Sequence, residues 1–156
     1  CQAEIVEVQL KSIIIMKKAF LTLLLLTITV SINSQTIFGK WHSTNDETGE
    51  VDSVIEMYKK DGKAYAKIIK INDPERQKAV CEKCEGVNKN KPILGLEILT
   101  GLEKDGDEWS GGEILDPRNG KVYNCYIKLV KPNKLKLRGF IGLALFGKTK
   151  YWKRAE

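Results

Sequence analysis

The stretch Lys121-Val122-Tyr123-Asn124-Cys125-Tyr126-Ile127-Lys128-Leu129-Val130, with Lys134-Leu135-Lys136-Leu137-Arg138 just beyond it, carries the pattern that decides the fold. On an extended chain Tyr123, Cys125, Ile127 and Leu129 fall on one face, and Asn124, Tyr126 and Lys128 on the other. Strict alternation is the period of a half-buried strand, because successive strand side chains point to opposite faces. Leu135 and Leu137 repeat the pattern against Lys134, Lys136 and Arg138, and Pro132-Asn133 turns the chain between the two runs.

The same reading extends in both directions. Toward the C-terminus, Lys134 to Phe140 and Lys148 to Arg154 read as strands; toward the N-terminus, so do Ile37 to Ser43, Ser53 to Lys59, Ala64 to Ile71, Ile93 to Leu102 and Glu108 to Leu115. The breaks between them are turn chemistry. Asp61-Gly62 is a hairpin signal, because a tight two-residue turn needs positive φ at these positions. Lys104-Asp105-Gly106-Asp107 and Asp116-Pro117-Arg118-Asn119-Gly120 are turns by composition. The exception is a long polar connection from Asn72 to Pro92, which holds Cys81 and Cys84. Loops of that length are functional, stapled or mobile.

About eight strands joined mostly by short turns predict an all-β, antiparallel barrel, with a sandwich as the alternative. Eight is the strand number at which a closed barrel either fills with side chains or holds one small ligand. Gly39-Lys40-Trp41 opens the first strand and Trp152-Lys153-Arg154 ends the last. Closure makes these strands neighbours and predicts that the Arg154 guanidinium meets the Trp41 indole across the seam.

The N-terminal part reads differently. Met16, Lys17 and Lys18 precede an apolar run from Ala19 to Val30 and the small, polar Ser31-Ile32-Asn33-Ser34, the layout of a secretory signal. Cleavage is expected after Ser34. Residues 1–15 are read as an upstream extension, 16–34 as the signal and 35–156 as one barrel domain. The apolar residues 19–32 fall short of the about 20 that a membrane span requires, so no transmembrane segment is expected in the mature chain.

The whole chain has 26 Lys and Arg against 20 Asp and Glu, a formal charge of +6. The lysines alternate along apparent strands, where they form a wet face and guard edges against mispairing. With an export signal in front, this argues against a nucleic-acid partner.

Cys81-Glu82-Lys83-Cys84 is the most conspicuous constellation for chemistry. A structural disulfide suits an oxidising compartment, and Cys81–Cys84, Cys81–Cys125 and Cys84–Cys125 are all open. Zinc needs about four ligands, for which the pair could add only Cys125 and the single His42, so no metal is expected. A redox motif of the thioredoxin kind should open a helix, which this polar loop does not. No nucleophilic triad and no cofactor-binding signature can be assembled, and the expectation is a protein that is not an enzyme. The apolar run Phe140 to Phe146 breaks the alternation before the last strand. Its expected place is the core; the alternative is an apolar lip at a barrel mouth.

Further residues carry a resemblance. Gly111-Gly112-Glu113-Ile114-Leu115-Asp116-Pro117 with Gly120-Lys121-Val122-Tyr123, then Leu137-Arg138-Gly139-Phe140-Ile141-Gly142, Gly147-Lys148-Thr149 and Trp152-Lys153-Arg154, resemble the central and closing motifs of a family of small exported bacterial proteins. That family is domain of unknown function twenty-one forty-seven. The resemblance covers nearly all of residues 35–156 and implies a lipocalin-like, calycin-type barrel without an established activity. The Gly39-Lys40-Trp41 start is similar to the opening motif of lipocalins, which gives Gly39, Trp41, Trp152 and Arg154 structural roles. Two departures stand out: Lys148 and Lys150 occupy positions where members often carry Arg and Gln, and a cysteine pair common in an early hairpin is missing. Phe140, Leu143, Phe146, Lys148 and Lys150 are the candidate ligand contacts.

Three functions follow as expectations. The first is a periplasmic or secreted binder of a small apolar or amphiphilic molecule. The second is a filled barrel serving as an envelope scaffold or docking site for an envelope protein partner. The third, weaker, is a thiol or zinc enzyme at the Cys81/Cys84 loop.

Overall fold

The computed structural model describes residues 9–13, 15–18, 36–45 and 48–155. The chain divides into two compact units, Cys1–Ser34 and Gln35–Glu156. In the first, the described residues are helical; the apolar run and cleavage region of the expected signal, 19–34, lie outside the described residues. Among the described residues no helix is long and apolar enough to cross a membrane.

The second unit is a closed antiparallel barrel of eight strands, each paired with the next and the last with the first. They are β1 (Gly39–Thr44), β2 (Val51–Lys60), β3 (Lys63–Ile71), β4 (Glu97–Asp105), β5 (Glu108–Asp116), β6 (Lys121–Lys131), β7 (Lys134–Phe140) and β8 (Lys148–Arg154). The sandwich alternative is thereby set aside. Every strand has two partners and the unit encloses its own core, which are the conditions for a domain to fold alone. Asp61 and Gly62 take the positive φ values of 50° and 81° that the β2–β3 hairpin demands. One expected strand starts late: Ile93 to Leu96 is an irregular segment with Ile93 and Leu96 buried and Leu94 exposed, and register pairing in β4 begins at Glu97. Ile93 N bonds Ala79 O in the preceding loop, which draws the segment's start away from the sheet, while Gly95 N to Ile68 O and Ile68 N to Leu96 O tie its end to β3 irregularly.

The barrel is filled at the end where β2–β3, β4–β5 and β6–β7 make their tight turns. Trp41, Met57, Leu102, Ile127 and Leu135 are fully or almost fully buried there, fitted against the small Ala64 and Ala66. The seam between β1 and β8 is short, pairing only Trp41 with Arg154 and His42 with Lys153. Arg154 supplements it. Its guanidinium lies 4.2 Å from the centre of the Trp41 ring and donates to the carbonyls of Pro132 (2.9 Å), Phe38 (3.1 Å) and Thr36 (2.6 Å). Trp41 donates its own Nε1–H to Ile37 O at 2.7 Å. One charged group thus ties together the chain entering β1, the β6–β7 turn and the last strand.

The long β3–β4 connection is stapled. Cys81 and Cys84 form a disulfide, both sulfurs are buried, and Val80 bridges Pro92 across the base of the loop. This decides among the open pairings: Cys125 is a free, buried thiol on β6. As a disulfide the pair carries no thiolate. The staple presses on the β5–β6 turn so closely that a side chain on Gly120 would come within 1.8 Å of Lys83 O.

The β7–β8 connection departs from its expected place in the core. Ile141, Leu143, Leu145 and Phe146 are 66%, 70%, 78% and 77% exposed. The cause is Arg138, which donates to the carbonyls of Ala144 (2.7 Å) and Leu145 (2.9 Å) and to Thr149 Oγ1 (2.8 Å). With its carbonyls fixed to the barrel wall, the loop turns its apolar side chains outward.

Two outcomes are expected. In a double-mutant cycle of Trp41→Ala and Arg154→Ala, denaturant unfolding should give a coupling of about 0.5–2 kcal/mol for the cation–π contact; strictly additive losses would deny the contact any energetic role. Burial, aided by the Glu113 charge, pushes the Cys125 thiol up to about 12, so the thiolate should be negligible at neutral or mildly alkaline pH. Residues 35–156 should therefore show no alkylatable thiol when native, one when unfolded without reductant and three when unfolded and reduced. Rapid native labelling of Cys125 would contradict its burial.

Candidate ligand cavity at the open end of the barrel

The alternation that fills one half of the barrel leaves the other half hollow. A cavity of about 430 Å³ opens where the β1–β2, β3–β4, β5–β6 and β7–β8 connections cluster, within the range of pockets that take small molecules. Its walls follow strand periodicity: Ser53 and Ile55 on β2, Leu137 and Gly139 on β7, and Lys148, Lys150 and Trp152 on β8. Ile68, Ile98 and Ile114 complete an apolar body. At the closed end the corresponding wall residues Ala64 and Ala66 face tryptophan and methionine; here isoleucines face glycine and lysine, and space remains between them.

The rim is charged and internally paired. Arg76 meets Asp52 at 2.7 Å. Arg118 holds Asp116 in a two-pronged contact, Nε to Oδ1 at 2.9 Å and Nη2 to Oδ2 at 2.8 Å. Burial works against the Asp116 charge, but the Arg118 hydrogen bonds outweigh it, and Lys150 adds attraction, so the carboxyl sits below its usual range. Lys150 thus belongs to the electrostatic field of the rim while lying inside the wall. Register places it opposite Leu137, with Lys148 opposite Gly139 and Trp152 opposite Leu135. Descending β8, the cavity passes from cationic to apolar within five residues. At the floor, Trp152 is buried and its Nε1–H has no acceptor among the described residues. A buried donor of this kind is usually satisfied by a partner.

The candidate contacts divide. Phe140, Phe146, Lys148 and Lys150 line the cavity; Leu143 does not, and stands in solvent on the β7–β8 loop. Gly39, Trp41 and Arg154 lie at the closed end or seam, whereas Trp152 serves both the core and the cavity floor. The staple shapes the mouth from outside, its Cys81 Sγ lying 3.5 Å from Pro117 O in the β5–β6 turn. Sequence reasoning missed the Asp52–Arg76 pair and the isoleucine body. The isoleucines were legible as one face of their strands, but periodicity alone does not say whether an inward face meets side chains or a hollow.

Comparison with known proteins agrees with this geometry. A solved structure described as protein HP1028 from the human pathogen Helicobacter pylori, a member of the lipocalin family, superposes with a TM-score of 0.68 at 21% identity, covering 78% of this chain and 84% of its own. At that identity the likeness establishes the barrel fold alone. No curated protein matches the chain. The model of a family described as uncharacterized protein conserved in bacteria (DUF2147) matches residues 39–154, from the start of β1 to the end of β8. The chain therefore belongs to the DUF2147 family of uncharacterized bacterial proteins.

Proposed function

We propose that this protein is an exported, lipocalin-like carrier of a small amphiphile with an apolar body and an anionic head. The observation that carries the reading is the β8 wall, where Lys148 and Lys150 stand inside the mouth of an isoleucine-lined cavity of about 430 Å³. The apolar body favours a hydrocarbon part; burying each CH₂ contributes about 0.8 kcal/mol. Two ammonium groups at the entrance favour an acidic head, held at the boundary where the wall turns polar. The Trp152 Nε1–H offers a donor deeper in. The hollow interior supports a carrier over a filled scaffold, the second expectation. Export rests on the Met16-Lys17-Lys18 start with its apolar run, and the disulfide suits an oxidising compartment.

The test is direct. Titrating residues 35–156 with a fluorescent long-chain fatty acid and with the matching alcohol should show saturable binding of both, tighter for the acid. Gly139 lines the cavity at an ordinary φ, and a β-carbon there would meet only Ile114 and Tyr123, at 3.6 Å. Gly139→Leu should therefore fold and weaken both ligands at least about tenfold by occupying their space. Lys150→Glu should weaken the acid about tenfold or more and the alcohol much less, since a charge-assisted hydrogen bond contributes about 1.5–3 kcal/mol. Failure of both probes to bind, or binding indifferent to Gly139→Leu, would overturn the reading.

A further inference from the structure

We infer that the β7–β8 loop, residues 141–147, is a docking tip that inserts into an anionic lipid surface and brings the cavity mouth against it. The inference rests on the carrier reading for its purpose, but its evidence is separate. Leu143, Leu145 and Phe146 are the most exposed large apolar side chains of the barrel's open end apart from Val87 on the disulfide loop. They share one turn with Ile141, and that turn is built rather than slack. Arg138 grips two of its carbonyls and Thr149, and a side chain on Gly147 would come within 2.5 Å of Gly139 O, so the loop base lies hard against β7. A loop so anchored holds its apolar groups in water at a standing cost.

Charge identifies the surface that would receive them. From Pro117 to Ala155 the sequence has eleven Lys and Arg and no Asp or Glu. This span is β6, β7, β8 and their connections, three neighbouring strands of the closed barrel. From Gln35 to Asp116 the balance is reversed, with 17 acidic residues against 12 basic. The barrel therefore has a wall rich in basic residues, in which Arg118 and Lys128 are matched by Asp116 and Asp107, and the apolar tip projects from its open end, where Lys121, Lys148 and Lys150 stand. Basic charge beside exposed leucine and phenylalanine is the combination that binds the interface of an acidic bilayer. A protein partner fits less well: stable interfaces recruit about 20–30 residues a side, whereas this tip presents four large side chains on a short turn. Ile141 and Phe146 also line the cavity, so insertion would place the mouth where an amphiphile leaves or enters the lipid.

Leu143 and Leu145 lie outside the cavity lining, which lets tip and cavity be tested apart. Residues 35–156 carrying Leu145→Trp should show blue-shifted emission, quenched by brominated acyl chains, on mixed phosphatidylcholine–phosphatidylglycerol vesicles, and a much weaker response on phosphatidylcholine alone. In co-sedimentation, Leu143→Ser with Leu145→Ser should lower partition into the mixed vesicles at least about tenfold, with the thermal melt and fatty-acid binding in solution unchanged. Absence of vesicle binding by the unsubstituted domain would overturn the inference. So would binding that salt abolishes but the double substitution leaves intact, which would mark the wall as a polyanion site without insertion. Loss of fatty-acid binding by Gly139→Leu beside normal vesicle partition would separate the two readings. If instead no fatty acid binds at all while the tip still partitions, the carrier reading falls and the docking tip stands.

Discussion

A barrel is closed at one place, and here that place is held by one side chain. Seven of the eight strand junctions join neighbours in the chain, most with ladders of five or more register pairs and β3–β4 with three; the eighth, β1 with β8, has two. Arg154 makes up the difference by donating to three carbonyls from two distant segments while covering the Trp41 ring. Arginine suits the task because its planar fork offers several donors in fixed directions and its flat face stacks on an indole. A lysine could supply the charge and not the geometry. The seam matters beyond its size, since an unclosed barrel would expose two strand edges and the hydrophobic interior together.

Within the closed wall, side-chain volume alone separates a core from a cavity. The inward positions of β3 run Ala64, Ala66, Ile68, and those of β8 run Trp152, Lys150, Lys148 as the mouth is approached. At the tight-turn end two small residues admit Trp41 and Met57, and the space is filled. Toward the mouth the aromatics Tyr123, Phe140 and Phe146 line the wall without filling the space between them, and β7 contributes Gly139, which has no side chain to close the gap. A filled half gives the domain its stability, which leaves the hollow half available for other work.

Much of this was legible in the sequence. Alternation in β6 and β7, Asp61-Gly62, and the paired motifs at Trp41 and Arg154 have local causes, a side-chain period or a turn conformation, and local causes can be read along a chain. The Ile93–Leu96 segment differs from expectation because a short apolar run looks the same whether it pairs in a ladder or packs beneath a loop; the bond that distinguishes them goes from Ile93 to Ala79, a loop residue. Phe140 to Phe146 misled for a related reason. Hydrophobicity predicts burial, and what defeats it is the grip of Arg138 on two carbonyls, a contact between a side chain and a backbone that no residue pattern encodes. The cavity was legible only as a possibility of strand number. Its position depends on which inward residues oppose one another across the barrel, and that is a property of register.

The order of the strands has a further consequence, in time. Every pairing but one joins consecutive strands, so most of the sheet can assemble hairpin by hairpin at small loop-closure cost. The β1–β8 pairing brings together residues 41 and 154, from opposite ends of the barrel sequence, and chain entropy places it late in folding. An interaction formed after the transition state leaves the folding rate nearly untouched and acts on the rate of opening. The clamp at Arg154 is therefore a latch in the kinetic sense: it sets how long the barrel, once shut, stays shut.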